Sequence, residues 1–131
     1  MGCVSNRETE MQNTLEVYQD KRLIFSSTGK WLYPLFDLEE FLKNKNLEPR
    51  QLLVKDKIVG KAAALLLVRL KIERLRAGIL SELAKIVLDR YKLHYEYGQL
   101  VERVLCKTEE LLGDIDDPIS AYALLLERAG R

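Results

Sequence analysis

Apolar and polar residues alternate from Thr14 to Ser27, in TLEVYQDKRLIFSS. Leu15 and Val17 fall on one face of an extended chain and Leu23 and Phe25 on another, with the polar pair Asp20–Lys21 between them. A period of two broken by a short polar turn predicts a β-hairpin. The period then changes. Leu35, Leu38 and Leu42 recur at helical spacing with Phe41 beside them. Pro34 suits a first helical turn, where no backbone donor is needed, and Asn44 to Asn46 make a polar stop.

RQLLVKDKIVG reads as a short apolar strand with charges at its end. GKAAALLLVRL is a helix apolar on nearly all sides, which predicts deep burial. IERLRAGIL is another strand. Ser81 stands where it would cap SELAKIVLDRY, whose Leu83, Ile86 and Val87 form an inward stripe bordered by Leu88. LHYEY is a last strand, ended by Gly98. Thr108 is a candidate cap of a short helix. Asp117–Pro118 is a cap and first-turn pair for ISAYALLLERAG, which Gly130 closes.

The order is a hairpin, then αβαβαβ, then C-terminal helices. Strands joined through helices run parallel, because the crossover is right-handed and returns to the same edge. The predicted fold class is therefore α/β, a three-layer α/β/α sandwich. Its mixed sheet is antiparallel in the hairpin and covered by helices on both faces. Residues 13–131 are expected to form a single domain, preceded by a flexible polar tail over residues 1–12.

Composition narrows the partners. With 47% hydrophobic residues in 131, the chain can build a core without staples. Lys and Arg number 21 against 20 acids, a formal charge of +1. That balance gives no long-range field for nucleic acid or an anionic membrane, so any anion site must be local. Cys3, Cys106 and His94 make no disulfide framework and a poor metal inventory, which fits a reducing cytoplasm. The longest apolar run, Ala62 to Val68, is far short of the roughly 20 residues of a membrane span. The first ten residues hold no apolar block of a signal peptide. MGCVSN is close to an acylation signal but has Asn6 where Ser or Thr is required.

In open α/β sheets ligands bind beyond the carboxyl ends of parallel strands, where helices begin. Two segments are expected there, SSTGKW and KDKIVGK, and each holds a Gly-Lys pair. Glycine lets backbone approach a ligand, and first-turn N–H groups add free donors at the positive end of the helix dipole. Lys30 and Lys61 would bring full charges, and Ser26, Ser27 and Thr28 hydroxyl donors. VGKAAA is not a Walker loop, because Lys55 stands at the first glycine position and Ala62 replaces Ser or Thr. Gly60 and Lys61 are equally compatible with a plain strand-to-helix turn. Trp31 and Tyr33 can stack on a base or join the core.

Other groups have plainer roles. His94 sits within a strand, as a packed or edge residue. Cys106 lies three residues from Glu109, and a neighbouring carboxylate raises a thiol pKa rather than activating it. Asp114, Asp116 and Asp117 lack the Gly and bidentate Glu of a calcium loop.

LEVYQDKRLIFSSTGKWLYPL, VKDKIVGKAAALL and DIDDP together resemble a small prokaryotic family of unknown function with a cytidine-deaminase-like fold. The likeness runs from about Leu15 to Glu127, and DKxVGKAAA is its most specific part. The resemblance implies the same hairpin–αβαβαβ layout. It also directs attention to a departure. Zinc deaminases carry His-x-Glu or Cys-x-Glu at the start of the helix after the hairpin, and Pro-Cys-x-x-Cys at the start of the next. Thr28-Gly29-Lys30 and Ile58-Val59-Gly60-Lys61 stand in those places. The three zinc ligands and the general base are missing, so neither zinc nor deaminase activity is expected.

A cleft holding lysine and glycine in place of a metal would still face an anionic nucleotide. The expected ligand is a nucleotide, such as ADP-ribose, between Ser27, Thr28, Gly29, Lys30 and Trp31 on one side and Asp56, Lys57, Gly60 and Lys61 on the other. Phosphate would lie on the helix starts, with Trp31 or Tyr33 near the base. Asp56 would accept a ribose hydroxyl or attack an anomeric carbon. Two alternatives stand beside this. One is a non-zinc enzyme or transferase using Lys30, Asp56 or Lys61 on a nucleoside or sugar. The other is a structural protein forming a homo-oligomer.

Overall fold

Asp20 and Lys21 both take positive φ, 52° and 71°. This is the left-handed geometry that two-residue hairpins require. They join β1 (Leu15–Gln19) to β2 (Arg22–Ser27) in antiparallel register. The computed structural model describes residues 13–104, 112 and 114–130. The tail over residues 1–12 and the residues Thr108, Cys106 and Glu109 lie outside them.

The hairpin departs from simple alternation. Val17 faces Phe25 but Tyr18 faces Leu23, so Ile24 is an extra residue and the strand bulges. Leu23 and Phe25, expected on one face, are thereby split. Phe25 turns inward to Phe41, ring centroids 5.1 Å apart, while Leu23 is exposed.

Helix α1 (Tyr33–Lys45) has Pro34 in its first turn and ends at Asn46 in the left-handed region. A short 3₁₀ turn, Pro49–Gln51, leads into β3 (Leu52–Val59), then α2 (Lys61–Arg69), β4 (Arg74–Ser81), α3 (Glu82–Arg90) and β5 (His94–Val101). Helix α4 (Pro118–Arg128) closes the described chain. Its cap is the predicted one, since Asp117 Oδ2 accepts from the Ser120 N–H at 2.7 Å. Ser81 Oγ likewise accepts from the Ala84 N–H at 3.0 Å at the start of α3.

The sheet is mixed and five-stranded, in the order β2-β1-β3-β4-β5. β1 runs antiparallel to β2 and β3, and β3, β4 and β5 are parallel. Each crossover steps the same way across the sheet, so right-handedness sends every crossover helix to the same face. α2 packs against α1, α3 and α4, which places all four on one side. Among the described residues no helix covers the other side. There Lys55 lies over the Tyr18 ring at 4.8 Å, and Arg76 pairs with Glu96 at 3.2 Å. The expectation of helices on both faces is therefore not met among these residues.

The one-sided arrangement explains the sequence of α2. It lies between the sheet and α4, with α1 and α3 beside it, and every residue from Lys61 to Leu67 is buried. Arg69 at its end ties three helices. It bonds Glu39 of α1 at 2.8 Å and stacks on the Tyr122 ring of α4 at 3.3 Å. In α3 the inward stripe is Ala84, Val87 and Leu88, and Ile86 is exposed, against expectation. The same i, i+3, i+4 geometry holds, rotated so that Ala84 is buried in place of Ile86.

β5 runs through Gly98 instead of ending there. A Cβ on Gly78 would meet the Lys57 carbonyl oxygen at 2.7 Å, and one on Gly98 would meet the Gly78 oxygen at 3.0 Å. The two glycines permit close approach of adjacent backbones within the sheet. They do not terminate a strand.

Candidate functional site

Where β3 and β4 end and α1 and α2 begin, the sheet opens into a cavity of about 500 Å³. That lies within the roughly 300–1,000 Å³ of small-molecule sites. Asp56, Ile58 and Ile79 of the sheet line it. Gly60, Ala62 and Ala63 bring the first turn of α2 to one wall. Gly29, Lys30, Trp31 and Leu32 form the opposite wall, and Val101, Arg103 and Val104 close it beyond β5.

The Gly29–Leu32 wall is fixed by a residue before the hairpin. Thr14 donates its hydroxyl to the Gly29 carbonyl at 2.7 Å, with the Ser27 carbonyl at 3.1 Å. Ser27 Oγ accepts from the Gly29 N–H at 3.0 Å, and a Cβ on Gly29 would press on that oxygen at 3.2 Å. Trp31 then takes φ 58°, uncommon for a bulky residue. Its ring rests edge-on against Tyr33, at 5.3 Å.

Asp56 is the acid of the cavity. On its face of the sheet its cross-strand neighbours are Leu15 and Ala77, and Val54 and Ile58 lie two residues away along β3. Burial among such neighbours disfavours the charged form and pushes the carboxyl up to about 7. The Ile58 and Lys57 N–H groups donate to it and pull the other way, more weakly. A carboxyl that titrates near neutrality in a cavity can hold or release a proton under ordinary conditions.

The two Gly-Lys turns diverge. Gly60 is the N-cap of α2 in an extended conformation. The first N–H groups of such a helix have no intrahelical acceptor. Lys61, however, turns away from the cavity. It is 6% exposed, and its Nζ lies 2.9 Å from Asp116 Oδ1. That hydrogen bond, with Arg90 at 3.8 Å from Oδ2, holds the Asp116 carboxyl below the usual range. Lys30 is exposed and lines the cavity.

A family model described as a domain of unknown function, DUF1893, matches residues 5–128. The chain belongs to the DUF1893 family. The crystal structure of a DUF1893 family protein from Thermotoga maritima is similar to it, with a TM-score of 0.81 at 30% sequence identity. The match covers 92% of this chain and 83% of that one. No curated protein matches significantly.

Of the residues predicted to form the site of this DUF1893 chain, Gly29, Lys30, Trp31, Asp56, Lys57 and Gly60 line the cavity. Ser27, Thr28 and Lys61 do not. Thr14, Arg103 and the apolar residues Leu32, Ile79, Val101 and Val104 escaped sequence reasoning, whereas Ile58 lies within the KDKIVGK segment expected there. Thr14 acts through a contact with a residue fifteen positions away. Arg103 is delivered by the part of β5 beyond Gly98, where the sequence reading had stopped the strand.

Among the described residues no three His, Cys, Asp or Glu side chains are grouped to hold a metal ion. His94 is exposed at the start of β5, opposite Arg74. Asp116 pairs with Lys61, and Asp117 caps α4. Among the same residues no helix is long and apolar enough to cross a membrane.

Proposed function

We propose that the cavity binds a small molecule bearing an anionic group and a planar ring, a nucleotide or ADP-ribose-like diphosphate. The scaffold is read as cytidine-deaminase-like, put to a use that needs no zinc. The hairpin–αβαβαβ order and a cavity at the carboxyl ends of the parallel strands support that reading of the scaffold.

The observation that carries the functional reading is the mixed lining of the cavity. Apolar Ile58, Ala62, Ala63, Ile79 and Val101 share it with the Trp31 ring and the exposed cations Lys30 and Arg103. Apolar walls favour a ring, and cations beside a helix start favour phosphate. Lys61, held by Asp116, has no part in it. Arg103 takes the place that sequence reading gave to Lys61.

Isothermal titration calorimetry with ADP-ribose, ADP and AMP tests the reading, on wild type and on the Lys30→Ala, Arg103→Ala double variant. Removing two charge-assisted contacts weakens binding by at least about tenfold. Equal, weak heats from both proteins would remove the proposal.

A further inference from the structure

We propose that two copies of this chain pair edge to edge through β5, forming a two-fold dimer with one continuous sheet. The axis passes beside Gly98, and α3 of one copy lies against α3 of its partner.

The two edges of the sheet differ. The outer edge of β2 is broken by the Ile24 bulge and starts with the exposed Arg22, both of them protections of a free edge. β5 keeps one register with β4 from His94 to Val101, and among the described residues no strand pairs with its outer side. It contains no Pro, Lys or Arg, and its Tyr97 and Leu100 are 43% and 37% exposed. The His94 N–H donates to the Glu73 carbonyl, toward β4. Alternation along the strand then aims the N–H and C=O groups of Tyr95, Tyr97, Gln99 and Val101 outward. Such a row calls for an extended partner.

Charge and geometry select a second copy as that partner. Ser81, at the start of α3, is level with Val101. With a rise of about 1.5 Å per helical residue and about 3.3 Å per strand residue, Val87 comes level with Gly98. A two-fold axis there pairs Tyr97 with the partner's Gln99 and Tyr95 with the partner's Val101, so outward donors meet outward acceptors. Glu96 then stands opposite the partner's Leu100 and not opposite its own copy. The same axis falls midway between Lys85 and Asp89 of α3. Both lie on the β5 side of that helix, because Asp89 accepts from the Tyr95 hydroxyl at 2.6 Å and Lys85 Nζ is 3.2 Å from Asp89. The two antiparallel helices thus set each Lys85 against the partner's Asp89. α3 packs over both β4 and β5. Strands about 4.8 Å apart put it roughly 5 Å from the axis, and the two helices about 10 Å apart, an ordinary packing distance. The stacked rings of Tyr95 and Tyr97 lie beneath that contact. Val101 also lines the cavity, so the partner adjoins the candidate site.

Analytical ultracentrifugation of the full chain over a range of concentrations tests this. Wild type should sediment at twice the chain mass. Gln99→Pro removes an outward N–H and spares the bonds to β4, so it should be a monomer with the circular dichroism of wild type. Lys85→Asp alone sets like charges across the axis and should weaken the dimer by about tenfold, and adding Asp89→Lys should restore it. These exposed substitutions decide the matter even where Gln99→Pro does not fold. A wild-type monomer at every concentration overturns the proposal. A dimer that withstands both Gln99→Pro and Lys85→Asp overturns it too, since its interface must lie elsewhere.

Discussion

The Gly29-Lys30 and Gly60-Lys61 turns are near twins in sequence, yet they meet opposite fates. Lys30 sits in an irregular wall buckled to Thr14, and its amine is exposed beside the cavity. Lys61 is the first residue of the most buried helix, and its amine is closed off by Asp116 from the far end of the chain. Position in the helix explains the difference. Successive side chains point about 100° apart. With Gly60, Ala62 and Ala63 facing the cavity, the residue between them is carried round toward α4. A Gly-Lys pair at a helix start thus identifies a possible anion site only when the side chain's bearing on the helix agrees. Here the backbone of one turn and the side chain of the other face the same space.

The largest expected effect concerns the floor between the two turns. If that floor is as dry as the neighbours of Asp56 imply, stability depends on pH in a defined sense. Burial pushes the folded carboxyl up to about 7, against 3.8 for an ordinary aspartate. Below both values the two states are equally protonated. As pH rises through the window between them, the unfolded chain releases its proton first and gains stability relative to the fold. The Asp56 contribution is therefore lost with rising pH, by about 4 kcal/mol once pH exceeds 7. Urea unfolding of wild type and Asp56→Asn across this range measures it. The variant should match wild type near the acid end and exceed it at about pH 8. Parallel curves would show that water reaches the floor.

A smaller effect separates the two lysines directly. Asp116→Ala removes the carboxylate from a buried ammonium and should cost about 1–2 kcal/mol in the same assay, discounted because Asp116 itself faces solvent. Lys30→Ala, on an exposed turn, should change stability by less than about 0.5 kcal/mol. Equal costs would dissolve the contrast between the turns.

The smallest effect tests what holds the first turn. Thr14→Val removes the hydroxyl that donates to the Gly29 carbonyl, at a cost of about 1 kcal/mol. Because Trp31 is the single tryptophan of the chain, its emission reports on that wall alone. The spectrum should shift in the variant. An unchanged spectrum would mean that the ring contacts of Trp31 with Tyr33 and Phe36 position the wall without Thr14.

Much of the fold was legible because it is local. Asp20-Lys21 declares a two-residue turn, and Ser81 and Asp117 bond N–H groups three residues ahead. The all-round apolarity of Ala62 to Leu67 announces burial wherever the helix is placed. Of the residues singled out in the sequence, Gly29, Lys30, Trp31, Asp56, Lys57 and Gly60 line the cavity. The errors share a cause. The Ile24 bulge, the passage of β5 through Gly98 and the rotation of the α3 stripe away from Ile86 all depend on what lies alongside.

By itself, the sequence determined the order and type of the elements, the turns and caps, and the absence of zinc-ligating residues at the two helix starts. Each of these is settled by contacts within a few residues or by composition. Tertiary structure alone decided that four helices share one side of the sheet, that Lys61 meets Asp116, and that Asp56 lies among Leu15, Ala77 and Ile58. These depend on the order in which strands pair and the hand of the crossovers, which bring together residues distant along the chain. The environment of a charged group, and hence its chemistry, is set by such neighbours.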